Sequence, residues 1–373
     1  MTQKNKEPWD QYSEYLHLDK LLSAQHRRSE DARKQGLEPS HDEMLFILFH
    51  QVYELWFKQI LFEMDDIQGR FQDNIVNDRD LGPVINQLGR IVLILRTVVQ
   101  QLDILETMNP QSFIDFREHL RSASGFQSWQ FRLLEIKLGL RRDDRLKFNY
   151  HEYDEEMNTG HKATIRKAEA SKSLYDQVDG WLSRTPFVED GDYTFWASYR
   201  KAVNTMFDER LAFLKTQGLD AEQFATEETA IEKGRKKFES LFDEKAHAGM
   251  VNDGLWRMSW RGLQSALFIS IYRDQPVLHM PYRMLSLLMD IDELLAKWRY
   301  AHALMVQRMM GLSMGSGGSS GYGYLMQTLE KHRIYDDLFA LSTYLIPSRA
   351  MPELPERIKN AMGYSYNSPH RAA

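Results

Sequence analysis

The sequence predicts an all-α fold, one large helical bundle with an outer helical subdomain, and three observations carry that reading. Apolar residues recur over long stretches at alternating steps of three and four, which is the face of an α-helix. No convincing run alternates with period two, the mark of a half-buried strand. Prolines and capping residues punctuate the chain where those stripes begin and end. With 373 residues, 43% of them apolar and 12% aromatic, there is material for a sizeable core. No internal repeat is visible, so residues 1–373 read as a single domain. Its core helices lie within 12–140 and 252–347, and an outer helical insertion spans about 163–250.

The elements follow in order. Residues 1–11 are polar, and Tyr12, Tyr15, Leu16, Leu18, Leu21 and Leu22 then make a short amphipathic piece whose aromatic surplus must pack on something. Ser40 and Glu43 form a capping-box pair that starts a helix running to about Ile67, with Phe46, His50, Tyr53, Phe57, Ile60 and Met64 along one stripe. Pro83 suits the first turn of the next helix, whose core face runs Val84, Leu88, Ile91, Leu95, Val98, Leu102 and Leu105. Pro110 opens a segment in which Phe113 and Arg117, four apart, share a face. Ser122, Ser124 and Gly125 precede a helix carrying Phe126, Leu133 and Leu134, which reads either as an anion-receiving N-terminus or as a plain N-cap. Residues 141–162 are charged and irregular and look like a surface excursion. The highly charged helical stretch that follows forms the outer layer. Core character returns after Asn252 through Leu255, Trp256, Met258, Trp260, Leu263, Leu267 and Ile271. The longest stripe comes last, as Leu288, Ile291, Leu295, Trp298, His302, Met305 and Met309, and it ends at the glycine-serine run 311–321. Glycine there permits close backbone approach to a ligand and serine supplies hydroxyls.

Composition narrows the function. A formal net charge of −6 provides no basic field, so neither nucleic acid nor an anionic membrane is an expected partner, and small molecules are. Without cysteine, disulfides, thiolate-ligated haem, iron-sulfur clusters and cysteine zinc sites are excluded. No segment has the uninterrupted apolar length of a membrane span, and the beginning of the chain lacks the pattern of a cleavable leader, so a cytoplasmic location is expected. Of 12 histidines, His50 and His302 alone sit on long apolar stripes. Each is either a core histidine bonded to a backbone carbonyl or a ligand to a metal. Their occurrence on two separate helices points to one shared pocket.

Several blocks of the chain resemble the tryptophan 2,3-dioxygenase family: YSEYLHLDKLLSAQ, HDEMLFILFHQVYELWFKQIL, ILETMNPQSFIDFREHLRSASGFQSWQFRLLE, SLMDIDELLAKWRYAHALMVQRMMG, GSGGSSGYGYL and LSTYLIP. The resemblance implies a haem-binding helical bundle carrying haem b and its iron, assembled as a homotetramer, that acts on L-tryptophan and O2 to give N-formylkynurenine. Matched position by position, it makes His302 the iron ligand and His50 the residue beside the indole N–H. Phe46, Phe113, Tyr12 and Tyr15 match the aromatic pocket, the two tyrosines arriving from a neighbouring subunit. Arg117 matches the clamp on the substrate carboxylate, Ser316 the hydroxyl at the amino-acid end, and Ser124 and Gly125 the lining over the haem. Arg132 and Trp298 match positions near its propionates. Two positions depart from the family pattern. Ser316 replaces a threonine, and Trp129 stands where a smaller aliphatic residue is usual. A relative acting on a substituted tryptophan and a non-catalytic haem sensor are the alternatives; Arg117 argues against a sensor, which has no carboxylate to clamp.

Overall fold

A computed structural model describes residues 8–35, 38–72, 78–120, 125–146, 152–155, 157–311 and 321–364. Its helices are, in order, α1 (Pro8–Leu16), α2 (Leu18–Leu22), α3 (Glu43–Arg70), α4 (Asp78–Leu105), α5 (Pro110–Leu120), α6 (Trp129–Leu138), α7 (Thr159–Glu169) and α8 (Leu174–Leu182). They continue as α9 (Phe195–Leu214), α10 (Ala221–Glu239), α11 (Glu244–Asn252), α12 (Trp260–Ile271), α13 (His279–Met310), α14 (Gly321–Lys331), α15 (Asp336–Ala340) and α16 (Glu356–Met362). The strands among the described residues are a two-residue antiparallel pair, Glu189–Asp190 with Tyr193–Thr194. The fold is therefore all-α. No described helix is long and apolar enough to cross a membrane.

Three long helices form the centre. α13 packs along α4 and against α14, and α3 packs on α4 and α6. The stripes explain why. Val84, Leu88, Ile91, Leu95, Val98, Leu102 and Leu105 of α4 are all buried, as are Leu288, Ile291, Leu295, Met305 and Met309 of α13. Residues three and four apart lie on one side of a helix, so each stripe closes on the next. α9 and α10 pack on each other at the periphery, yet Phe195, Tyr199 and Phe207 join the same continuous apolar cluster. Two glycines end site-bearing helices with backbone that other residues rarely adopt. Gly139 closes α6 at φ 135 and Gly311 closes α13 at φ 59.

Three expectations are corrected. Ser40 and Glu43 make no capping box: α3 starts without a side-chain cap. Instead the buried Glu43 carboxylate accepts the backbone N–H groups of Arg28 at 2.8 Å and Ser29 at 2.9 Å, capping the 3-10 turn Arg28–Gln35. Pro83 lies inside α4 rather than at its first position; so near the N-terminus it forfeits a single ladder bond. α6 is capped by Ser128, whose hydroxyl accepts from the Phe131 N–H at 3.2 Å, while Gly125–Gln127 forms a 3-10 turn before it. Phe126 is thus not on the helix. Among the described residues of 141–162, Arg142 pairs with Glu152, Asp154 and Glu169, and Arg145 is buried.

Candidate active site

Helices α3, α4, α5, α6, α13 and α14 surround a cavity of about 360 Å³, a size usual for small-molecule sites. It unites most of the residues singled out in the sequence. Phe46, His50, Phe113, Arg117, Gly125, Arg132, Trp298 and His302 all line it. Tyr12 and Tyr15 do not; on α1 they stand 67% and 85% exposed. Ser124 and Ser316 lie outside the described residues, as does the glycine-serine stretch 312–320.

The two histidines differ in chemistry. A carbonyl can only accept, so His50 Nδ1 donates its proton to the Phe46 carbonyl at 2.7 Å, and in the neutral ring Nε2 is left as an acceptor. Burial lowers the proton affinity of His50, and the Phe46 carbonyl and the Glu54 charge only partly offset it. The His50 ring rests 4.2 Å from Phe46 and 5.4 Å from Phe49 between centroids. His302 has no such carbonyl. Its Nδ1 is buried without a hydrogen-bond partner among the described residues, and burial, with the nearby His50, pushes the ring down to about 4. At neutral pH it is a neutral imidazole with a lone pair to give. Trp298 stacks on it at 5.1 Å and 22°, and Phe131 packs on Trp298 at 4.9 Å.

Opposite polar and apolar features complete the wall. Phe46, Phe113 and Phe116 form an aromatic triad with centroids 5.3 to 6.2 Å apart. Arg117, one turn beyond Phe113 on α5, is half-buried at the cavity, and no carboxylate among the described residues pairs with it. A side chain built at Gly125 meets nothing within 4 Å, so this glycine leaves space open.

Sequence reasoning missed a buried charge cluster at one end of the cavity. Glu135, fully buried, accepts from Arg132 at 3.1 Å, Arg145 at 2.6 Å and Arg299 at 2.7 Å. Burial works to raise its carboxyl, but the guanidiniums of Arg145, Arg132 and Arg299 hold it well below the usual carboxylate range. Three cations face one anion. His332, off the long apolar stripes, is buried here, accepts the Leu146 N–H at 3.2 Å on Nε2, and is pushed by burial down to about 4. The one available signal was a charged residue embedded in an otherwise core-facing run, as Arg132 and Glu135 are in WQFRLLE. Trp129 is also explained. It stacks on His161 of α7, 4.7 Å apart and 19° inclined, and lines no part of the cavity wall.

Fold and site together define a class: an all-α protein whose apolar pocket, of small-molecule size, brings together two neutral histidines and a guanidinium that no carboxylate among the described residues pairs with. The chain belongs to the tryptophan 2,3-dioxygenase family, whose model matches residues 2–345. It is 43% identical to the tryptophan 2,3-dioxygenase of Bdellovibrio bacteriovorus over 97% of this chain and 100% of that protein. Identity is 41% to that of Alteromonas mediterranea, covering 97% and 99%, and 43% to that of Anopheles gambiae, covering 96% and 91%.

Proposed function

We propose that the cavity binds L-tryptophan and O2 with haem b and inserts both oxygen atoms across the indole C2–C3 bond, giving N-formylkynurenine. The observation that carries this reading is the convergence of His302, His50 and Arg117 on one apolar space. Family membership supplies the reaction class.

The residues present fit the cofactor. His302 offers iron a neutral, buried nitrogen, and its Nδ1 is not tied to another group. Three guanidiniums against the single Glu135 carboxylate leave two positive charges unmatched at the cavity's edge, the complement of two propionates. His302 would hold the iron, and Arg132 and Arg299 would face the propionates. When bound, haem supplies the redox-active iron that activates O2.

The protein's own part is binding and exclusion. Phe46 and Phe113, backed by the buried Phe116, would enclose a flat apolar indole and keep water from it. Arg117 presents a planar fork that matches an α-carboxylate. His50 Nε2, left an acceptor by the Phe46 carbonyl, receives the indole N–H and fixes which ring edge faces the chemistry. Because the indole is itself electron-rich, His50 orients rather than serves as an indispensable base. Ser316 would meet the amino-acid end. Tyr12 and Tyr15, exposed on α1, would close the pocket of a neighbour in a homotetramer working in the cytoplasm.

The test is anaerobic reduction of the haem-loaded protein, followed by O2 and L-tryptophan. Formation of N-formylkynurenine carrying both oxygen atoms supports the reading. Turnover of a substituted tryptophan with inertness towards L-tryptophan overturns it.

A further inference from the structure

We propose that Glu54 is a positioning residue for this reaction, acting through His50: its carboxylate, pinned by Gln130 one turn along α3 from His50, stabilises positive charge on the His50 and indole N–H pair. The inference rests on the reading that His50 meets the indole. Four residues separate His50 from Glu54 on α3, which puts both on one face of the helix, and both line the cavity. Gln130 of α6 fixes the carboxylate. Its Nε2 donates to the Glu54 carbonyl at 3.0 Å and to the Glu54 carboxylate at 2.7 Å.

The chemistry gives that charge a use. As the indole carbons give up electron density to oxygen, the ring nitrogen becomes electron-poor and its N–H more acidic, so positive charge moves towards His50 Nε2. A fixed anion beside the acceptor is worth more at that point than in the ground state. No other group is placed to supply it. The remaining ionisable groups on the cavity wall are Tyr53 of α3, Arg117 of α5, Arg132 and Glu135 of α6, Arg299 and His302 of α13, Tyr324 of α14 and the neighbouring His332. Glu135 is the one other carboxylate among them, and it is committed to three arginines. The proton affinity of His50 carries the same mark, since the Glu54 charge raises it against the larger effect of burial.

The experiment compares Glu54→Gln, His50→Ala and the double variant as haem-loaded enzymes. Glutamine keeps the shape and a hydrogen-bonding partner for Gln130 but removes the charge. The expected result is a fall in kcat of about three- to tenfold with KM little changed. The acid limb of kcat/KM, where His50 takes a proton and ceases to accept, should move to lower pH by roughly half a unit to one unit. Both effects should vanish in the His50→Ala background. An unmoved acid limb, or an equal loss from Glu54→Gln with and without His50, overturns the role of Glu54. A His50→Ala enzyme as active as the parent overturns instead the reading of His50 on which it rests.

Discussion

In the proposed function Arg117 and His302 would divide the work at the scale of single residues, one by charge and the other by its lone pair. If the Arg117 fork grips the substrate carboxylate with two parallel bonds, Arg117→Lys keeps the charge and loses the geometry. Affinity for L-tryptophan should fall by about 1.5 to 3 kcal/mol, the range of a hydrogen bond to a charged group, seen as a raised Kd in a spectral titration; unchanged binding removes Arg117 from the site. His302→Ala should abolish the haem Soret band or leave the cofactor loosely held, and a normal spectrum would show that iron is bound elsewhere. His50 brings a pH dependence. Burial depresses its proton affinity, so the imidazole stays neutral below the ordinary value near 6.5. Activity should therefore persist into mildly acid solution and fall only when pH drops through that lowered value. A kcat/KM profile already falling above pH 6.5 would contradict this. The two histidines were legible in the sequence because each breaks a rule, a histidine on an apolar stripe needing a reason to be there, whereas Arg117 stood out only through the family resemblance.

At the scale of elements, the Glu135 cluster fastens α6, α13 and the segment after α6 to one another. Arg299 extends the link, donating to the His332 carbonyl at 3.3 Å at the end of α14. Removing the anion leaves three buried guanidiniums without a counter-charge, so Glu135→Gln should cost the haem-free protein about 3 to 5 kcal/mol, read as a lowered denaturation midpoint. The pH dependence has a definite sign. The folded-state carboxyl is depressed well below its unfolded value, so its contribution is present in full above that unfolded value. It is lost only as pH falls through the folded one. The gap between parent and variant should hold steady through neutral pH and narrow only in strong acid. This cluster could not be read in advance. Helical periodicity reports which face is buried, whereas the partner of a buried charge depends on which helices meet, and Arg145, Arg299 and Glu135 come together from three separate stretches. The failed capping box at Ser40 has the same origin, since Glu43 turned to the unpaired N–H groups of Arg28 and Ser29, a tertiary choice. By contrast, the α3, α4 and α13 stripes needed only local spacing and were read almost residue for residue.

The molecule as a whole carries apolar surface that a lone chain leaves in water. Tyr12, Tyr15 and Leu22 are 67%, 85% and 70% exposed, and Leu48, Leu55 and Phe62 recur on α3 at steps of seven with exposures of 41%, 48% and 71%. Seven residues are two helical turns, so these three stand in one row along α3. Scattered exposed apolar residues are ordinary, but an aligned row and a solvent-facing aromatic helix mark surfaces meant for contact. If α1 completes the pocket of another copy, a chain lacking residues 1–16 should still bind haem at His302 yet lose at least about tenfold in kcat/KM, equivalent to ~1.4 kcal/mol. A simple loss of stability would lower activity as well, so the decisive measurement is complementation. Arg117→Ala chains have an intact α1 but no clamp; truncated chains have the clamp but no α1. Each alone should be impaired. Mixed under conditions where subunits exchange, they should recover turnover, because in some assemblies the Arg117→Ala chain lends its Tyr12 and Tyr15 to a truncated neighbour whose Arg117 is whole. Recovery should follow the proportion of mixed assemblies and disappear when Tyr12 and Tyr15 of the Arg117→Ala chain are both changed to alanine. Full activity of the truncated chain alone would show instead that each pocket is closed by its own chain.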